Sequence, residues 1–118
     1  MYSLGWALHE IRRYEEAIER YYQVLYLRTQ AYQVWYNRGN ALYKLELYPE
    51  AIASYDRAVE IKQDHYESWY SRGNVLMTWQ RYPEAIASYE KALDYEPDYK
   101  PAKEAKKAAE KASLKLVD

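Results

Sequence analysis

Residues 48–55 read YPEAIASY, and residues 82–89 read YPEAIASY again. The copies are identical over eight letters and lie 34 positions apart. A looser version, YEEAIERY, occupies residues 14–21, another 34 positions upstream. The beat extends beyond the phrase. Gly5, Gly39 and Gly73 share the register, as do Leu8, Leu42 and Leu76, and Ala17, Ala51 and Ala85. Tyr21, Tyr55 and Tyr89 align too, and Trp35 aligns with Trp69. Self-similarity at such a period marks stacked supersecondary units.

Within a unit the apolar spacing is helical. Ala51, Ile52, Tyr55, Ala58 and Val59 fall on one face of an α-helix and not on alternate positions of a strand. Pro49 and Pro83 suit a first helical turn, where a missing N–H costs nothing. They are expected to push Tyr48 and Tyr82 out of helical geometry and so end the preceding helices. The resulting map places helices near 1–12, 15–28, 32–46, 49–62, 66–80, 83–95 and 101–115. Such short connections make neighbouring helices antiparallel. One helical pair cannot bury its own apolar face, so the units are expected to stack into one continuous core.

Composition narrows the function. The 118 residues carry a net charge of −1, which argues against an electrostatic grip on nucleic acid or on an anionic membrane. The charge is uneven: residues 1–99 hold 11 basic and 15 acidic side chains, and residues 100–118 hold 6 and 3. There is no cysteine, hence no disulfide, thiolate metal site or cysteine nucleophile. No apolar run approaches the ~20 residues that span a bilayer, and no signal peptide is evident. A cytoplasmic setting is the expectation. The aromatic residues are 16 Tyr and 4 Trp with no Phe, a choice that suits thin, partly wet packing layers.

These residues resemble the tetratricopeptide repeat. The stretches WYNRGNAL…YPEAIASYDRAVEI and WYSRGNVL…YPEAIASYEKALDYEP carry its pattern of aromatic, Gly, Leu, Ala, aromatic and Ala at Trp35, Gly39, Leu42, Ala51, Tyr55 and Ala58. The second copy repeats it at Trp69, Gly73, Leu76, Ala85, Tyr89 and Ala92, and closes with Pro97. The resemblance implies an all-α fold: a right-handed superhelical stack of antiparallel helix pairs, an α-solenoid. Its units would be 1–31, 32–65 and 66–99, with 100–118 as a basic, Ala/Lys-rich capping helix and tail. The first unit reads as truncated at its N-terminus, and the chain is expected to belong to a longer array. Arg38 and Arg72 depart from the pattern by replacing the usual Leu before Gly, and Gln63 replaces a closing Pro. A Gly kept inside a helix costs about 1 kcal/mol against Ala, so Gly39 and Gly73 imply close helix contact. In the tail, Ala102, Ala105, Ala109 and Ala112 share one side, expected to cover the last unit, and the Lys-rich remainder reads as a solvated face. A basic tail recruiting acidic partners is the other reading of it.

The resemblance also implies a concave groove lined by the first helix of each unit, where a peptide segment of a partner protein lies. The stripe facing it would hold Tyr2, Trp6 and His9, then Tyr36, Asn40 and Tyr43, then Tyr70, Asn74 and Met77. Lys44 and Thr78 would flank it, with Gln33 and Glu67. Asn offers a donor and an acceptor to a peptide group, and Tyr offers broad contact at small entropic cost. On this reading Asn74→Ala leaves the melting temperature almost unchanged. One subfamily clamps the C-terminal carboxylate of heat-shock chaperones with Lys, Asn and Arg. Only Asn40 and Asn74 resemble that set here, and Tyr2, Glu67 and Ser71 occupy the basic positions. Self-association through the first unit, head-to-tail or by helix swapping, is the alternative function. No enzymatic role is expected, and no cofactor or metal. His9 and His65 have no partner at ligand spacing. No Gly-rich phosphate loop or nucleophile elbow occurs.

Overall fold

The computed structural model describes residues 13–20 and 31–117, with side chains through Lys115. Among the described residues every regular element is α-helical. Residues 13–20 form one helical stretch, so Arg13 and Tyr14 belong to a helix and not to a connection. Five further helices follow: α1 (Tyr32–Lys44), α2 (Tyr48–Ile61), α3 (Tyr66–Thr78), α4 (Tyr82–Tyr95) and α5 (Lys100–Val117). The chain divides into two compact units, Met1–Ile61 and Lys62–Asp118.

In the first unit, α1 and α2 form an antiparallel hairpin. The contacts between them run in opposite directions along the two helices. Tyr43 meets Tyr48 near the turn, Tyr36 meets Tyr55 further in, and the Arg57 guanidinium lies over Trp35 beyond that. Ala41, Leu42, Ala51, Tyr55, Ala58 and Val59 are buried. A β-carbon on Gly39 would lie 2.7 Å from the Tyr55 ring, so the glycine is what lets the two helices close. The Tyr55 ring takes the space.

The second unit repeats this with α3 and α4 and adds α5. Val75, Leu76, Ala85, Tyr89 and Ala92 are buried, and a β-carbon on Gly73 would sit 2.5 Å from the Tyr89 ring. The helix α5 packs on α4 and also touches α3. Ala102 and Ala109 are fully buried, while Ala105 and Ala112 are half-buried. The alanine side of the tail therefore covers α4, as its spacing predicts.

The helix stops differ from expectation. Tyr48 and Tyr82 are helical, and Pro83 stands in the first turn of its helix. The preceding helices end because Glu46 and Gln80 turn left-handed, both at φ 62°. In the first hairpin the Leu47 N–H donates to the Leu42 carbonyl and the Glu46 N–H to the Tyr43 carbonyl, both at 2.9 Å. In the second, the Arg81 N–H donates to Leu76 at 2.8 Å and the Gln80 N–H to Met77 at 3.0 Å. This is the paired Schellman bonding that usually uses glycine at the left-handed position. The proline follows the stop and does not cause it.

Candidate functional site

Four of the predicted contact residues share one face of α1: Tyr36, Asn40, Tyr43 and Lys44, at helical i, i+4, i+7 and i+8 spacing. Lys44 is exposed and the other three are half-buried. In α3 the same register holds Tyr70, Asn74, Met77 and Thr78, of which Thr78 is exposed and the others half-buried. Tyr2, Trp6 and His9 lie outside the described residues, as does the N-terminal edge invoked for self-association.

The asparagines have a structural partner that the spacing does not announce. The Tyr55 hydroxyl donates to Asn40 Oδ1, and the Tyr89 hydroxyl donates to Asn74 Oδ1 at 2.7 Å. Both tyrosines are almost wholly buried, and a buried hydroxyl left unpaired costs about 1–3 kcal/mol. Asn74 therefore partners a buried hydroxyl, and Asn74→Ala is expected to lower the melting temperature. The consequence for recognition is directional. With its oxygen committed to a phenol, each amide is fixed so that its NH2 group is the free end. Neither asparagine side chain makes another hydrogen bond among the described residues. The pair offers donors rather than both halves of a peptide match.

The tyrosines of the stripe also lean on the second helix of their own hairpin. Tyr36 and Tyr55 rings are 6.0 Å apart, and Tyr70 and Tyr89 are 5.9 Å apart. Tyr99, in the turn before α5, adds an edge contact to Tyr70 at 5.3 Å and to Tyr66 at 4.9 Å. Tyr99 escaped the sequence reading because its counterpart 34 residues earlier is His65, so no repeat flags it. The Thr78 hydroxyl donates back to the Asn74 carbonyl at 3.0 Å and closes its own helical turn.

The arginines that break the family pattern also find partners in their hairpins. Arg38 Nη1 donates to Ser54 Oγ at 2.5 Å, and Arg72 Nη1 donates to Ser88 Oγ at 2.7 Å. Both serines are fully buried, so the guanidinium tips satisfy hydroxyls that a Leu would leave bare. The Arg38 guanidinium also lies 5.8 Å from the Trp35 ring centroid, Arg57 covers the same ring, and Lys91 stands over Trp69.

His65, at the entrance to α3, is half-buried beside Ser68 Oγ at 2.7 Å, with Glu67 3.5 Å from Nε2. Burial is the main reason its pKa is depressed; Lys62 adds to this, and Glu67 and Asp64 oppose it. Among the described residues no three His, Cys, Asp or Glu side chains converge as metal ligands would. No described helix is long and apolar enough to cross a membrane.

Helical hairpins that repeat every 34 residues, each closed by a buried tyrosine over a glycine, define a helical-repeat protein. The family model described as tetratricopeptide repeat matches residues 32–65 and 66–99, and a second tetratricopeptide repeat model matches residues 1–31. The chain belongs to the tetratricopeptide repeat family. No curated protein sequence matches it. Among solved structures it is similar to the Arabidopsis OM64 TPR domain, at 27% identity and a TM-score of 0.78, over 91% of this chain and 88% of that one. It is similar to the second TPR domain of human RPAP3, solved in complex with the HSP70 peptide SGPTIEEVD, at 23% identity and a TM-score of 0.80, over 92% and 90%. It is also similar to the first TPR of Spaghetti (RPAP3), bound to the HSP90 peptide SRMEEVD, at 23% identity and a TM-score of 0.80, over 98% and 90%.

Proposed function

We propose that this chain is a protein-interaction module that takes up a peptide segment of a partner through the first-helix faces of its repeats. The contacts would come from Tyr36, Asn40, Tyr43 and Lys44 on α1, and from Tyr70, Asn74, Met77 and Thr78 on α3. The observation that carries the reading is the amide lock. A buried phenol pins the oxygen of Asn40 and of Asn74, and each leaves a pre-oriented NH2 group on a half-exposed face. Donors fixed in advance lose little entropy on binding. They select a ligand rich in acceptors, and the main-chain carbonyls of an extended peptide supply them. That both RPAP3 relatives hold peptides supports the class of ligand.

Their acidic termini do not transfer to this chain. Glu67 and Ser71 occupy α3 positions where the resemblance to carboxylate-clamping relatives calls for cations. The ligand is therefore read as a segment bound through its backbone and apolar side chains, and SRMEEVD is expected to bind weakly.

The test starts from an unbiased display library of short peptides panned on the chain, followed by titration of the enriched peptides. Amide shifts on α1 and α3 are expected, and shifts confined to α2, α4 and α5 would sink the proposal. The decisive variants are Asn40→Asp and Asn74→Asp. Aspartate keeps an oxygen for the phenol and removes the NH2 donor, so binding should fall while the melting temperature holds.

A further inference from the structure

The helix α5 has two sides with different tasks. Ala102 and Ala109 are fully buried against the second unit. The opposite side exposes Lys100, Lys103, Lys107, Lys111 and Lys115, close to one lysine per turn. At 1.5 Å per residue the row is about 22 Å long. Two lysines already engage carboxylates: Lys106, beside the row, pairs with Glu90 at 3.3 Å, and Lys103, within it, approaches Asp98 at 3.9 Å. Lys100, Lys107, Lys111 and Lys115 make no ion pair among the described residues.

Helix stability accounts for only part of this row, since Lys115 in the last turn favours the helix dipole. Lys103, Lys107, Lys111 and Lys115 are successive i, i+4 neighbours, an arrangement in which like charges repel. Glu104 and Glu110 share the exposed surface with Lys107 three residues from each, but Ala108 and Leu114 stand four residues after them, where a lysine would form the better-oriented pair. Lys100 and Lys103 sit in or beside the first turn, which contains no acidic residue, and there they oppose the helix dipole. A merely solvated helix would gain from spreading these charges. Their alignment points outward to a line of negative charge.

We propose that the outer lysine row of α5 is a docking surface for an acidic polypeptide segment with carboxylates near every fourth residue. Charge complementarity selects that partner over broader polyanions. The rest of its own unit, residues 62–99, carries 7 acidic against 4 basic side chains, a balance that disfavours an extended phosphate surface. The row also contains no aromatic side chain for a base to stack on. Leu114, 70% exposed, is the large apolar side chain at the row's C-terminal end and gives such a segment one hydrophobic contact.

The test uses the full chain and a fluorescein-labelled 20-residue helical peptide with Glu at every fourth position, read by anisotropy. A Gln-for-Glu peptide, phosphatidylserine vesicles and a 20-nucleotide oligothymidine form the other arms. The Glu peptide should bind, and its affinity should fall at least about tenfold as salt is raised by a factor of ten. The triple variant Lys107→Gln, Lys111→Gln and Lys115→Gln should weaken it by about tenfold or more at an unchanged melting temperature. Absence of binding at low salt, equal binding by the Gln peptide or by the triple variant, or tighter binding of vesicles or oligothymidine overturns the proposal. None of these lysines is among the residues assigned to peptide uptake, so the result is independent of the panning experiment.

Discussion

The hairpin α1–α2 and the hairpin α3–α4 are two castings of one sequence, and their differences separate what the repeat requires from what it tolerates. Both place a tyrosine over a glycine, both pin an asparagine with that tyrosine's hydroxyl, and both cap a buried serine with an arginine. Both stop the first helix with a left-handed non-glycine residue. The turn residues diverge: Leu45 and Leu47 in one, Trp79 and Arg81 in the other, where the guanidinium lies 3.9 Å from the indole centroid. The second hairpin also holds Tyr99 against Tyr66 and Tyr70, and supports α5. The interior lock is thus copied residue for residue, while turn surface and neighbours vary. A buried aromatic over a missing β-carbon tolerates little variation because interiors are close-packed.

Adding the missing carbon should have the largest effect. In Gly73→Ala the new β-carbon starts 2.5 Å from the Tyr89 ring, and in Gly39→Ala it starts 2.7 Å from the Tyr55 ring. Alanine gains about 1 kcal/mol in helix propensity. Overpacking against a fully buried ring costs about 1–3 kcal/mol and should outweigh that gain. Both variants should unfold at lower denaturant, Gly73→Ala more than Gly39→Ala. Equal or raised midpoints would mean that the rings can yield and that the lock is not tight.

Removing only the hydroxyl tests the next layer. Tyr55→Phe and Tyr89→Phe keep the ring and break the bond to Asn40 or Asn74, each at about 0.5–1.5 kcal/mol. The freed asparagine can then rotate. Thermal melts should show similar small losses in the two hairpins, and peptide affinity should fall because the donor is no longer held. Retained affinity in both variants would separate the asparagine from recognition.

His65, at the position where the first hairpin has Ala31, gives the second unit a pH response. Its depressed pKa means that the fold prefers the neutral ring. Its contribution is fully present above the unfolded value near 6.5. It declines as pH falls through that value toward the lower folded pKa, because the unfolded chain then binds the proton more readily. Below the folded pKa the loss levels off. Melting temperature followed from pH 8 to pH 5 should fall less steeply in His65→Gln than in the parent. Parallel curves would show that burial of this ring does not govern its titration.

The fold was largely legible because periodicity reports on packing. Among the described residues, the 34-residue beat, Gly39 and Gly73, and the alanine side of the tail each appear in the structure where spacing puts them. Less of the candidate site could be read. Spacing assigns Asn40 and Asn74 to a face, but it cannot show that a phenol from the second helix consumes their oxygens. Tyr99 lacks a periodic copy and so lacked a signal. The helix stops were misassigned for a related reason: proline is a visible letter, whereas a left-handed backbone on Glu46 or Gln80 leaves no mark in composition.

Those two stops supply the smallest expected effect and the closest comparison. Glu46 and Gln80 share φ 62°, in near-identical Schellman bonding, on different side chains and beside different turn residues. A non-glycine residue in this region costs roughly 1–2 kcal/mol. Glycine removes that cost but brings more backbone entropy to the unfolded chain, about 0.5–1 kcal/mol. Glu46→Gly and Gln80→Gly should therefore each stabilise by only a few tenths of a kcal/mol up to about 1 kcal/mol. If the backbone sets the gain, the two values should agree despite Leu45 and Leu47 in one turn and Trp79 and Arg81 in the other. A gain at Glu46 paired with a loss at Gln80 would place the cost in the side chains instead. The stacked Trp79 and Arg81 would then be holding the second turn in a geometry that the first adopts without them.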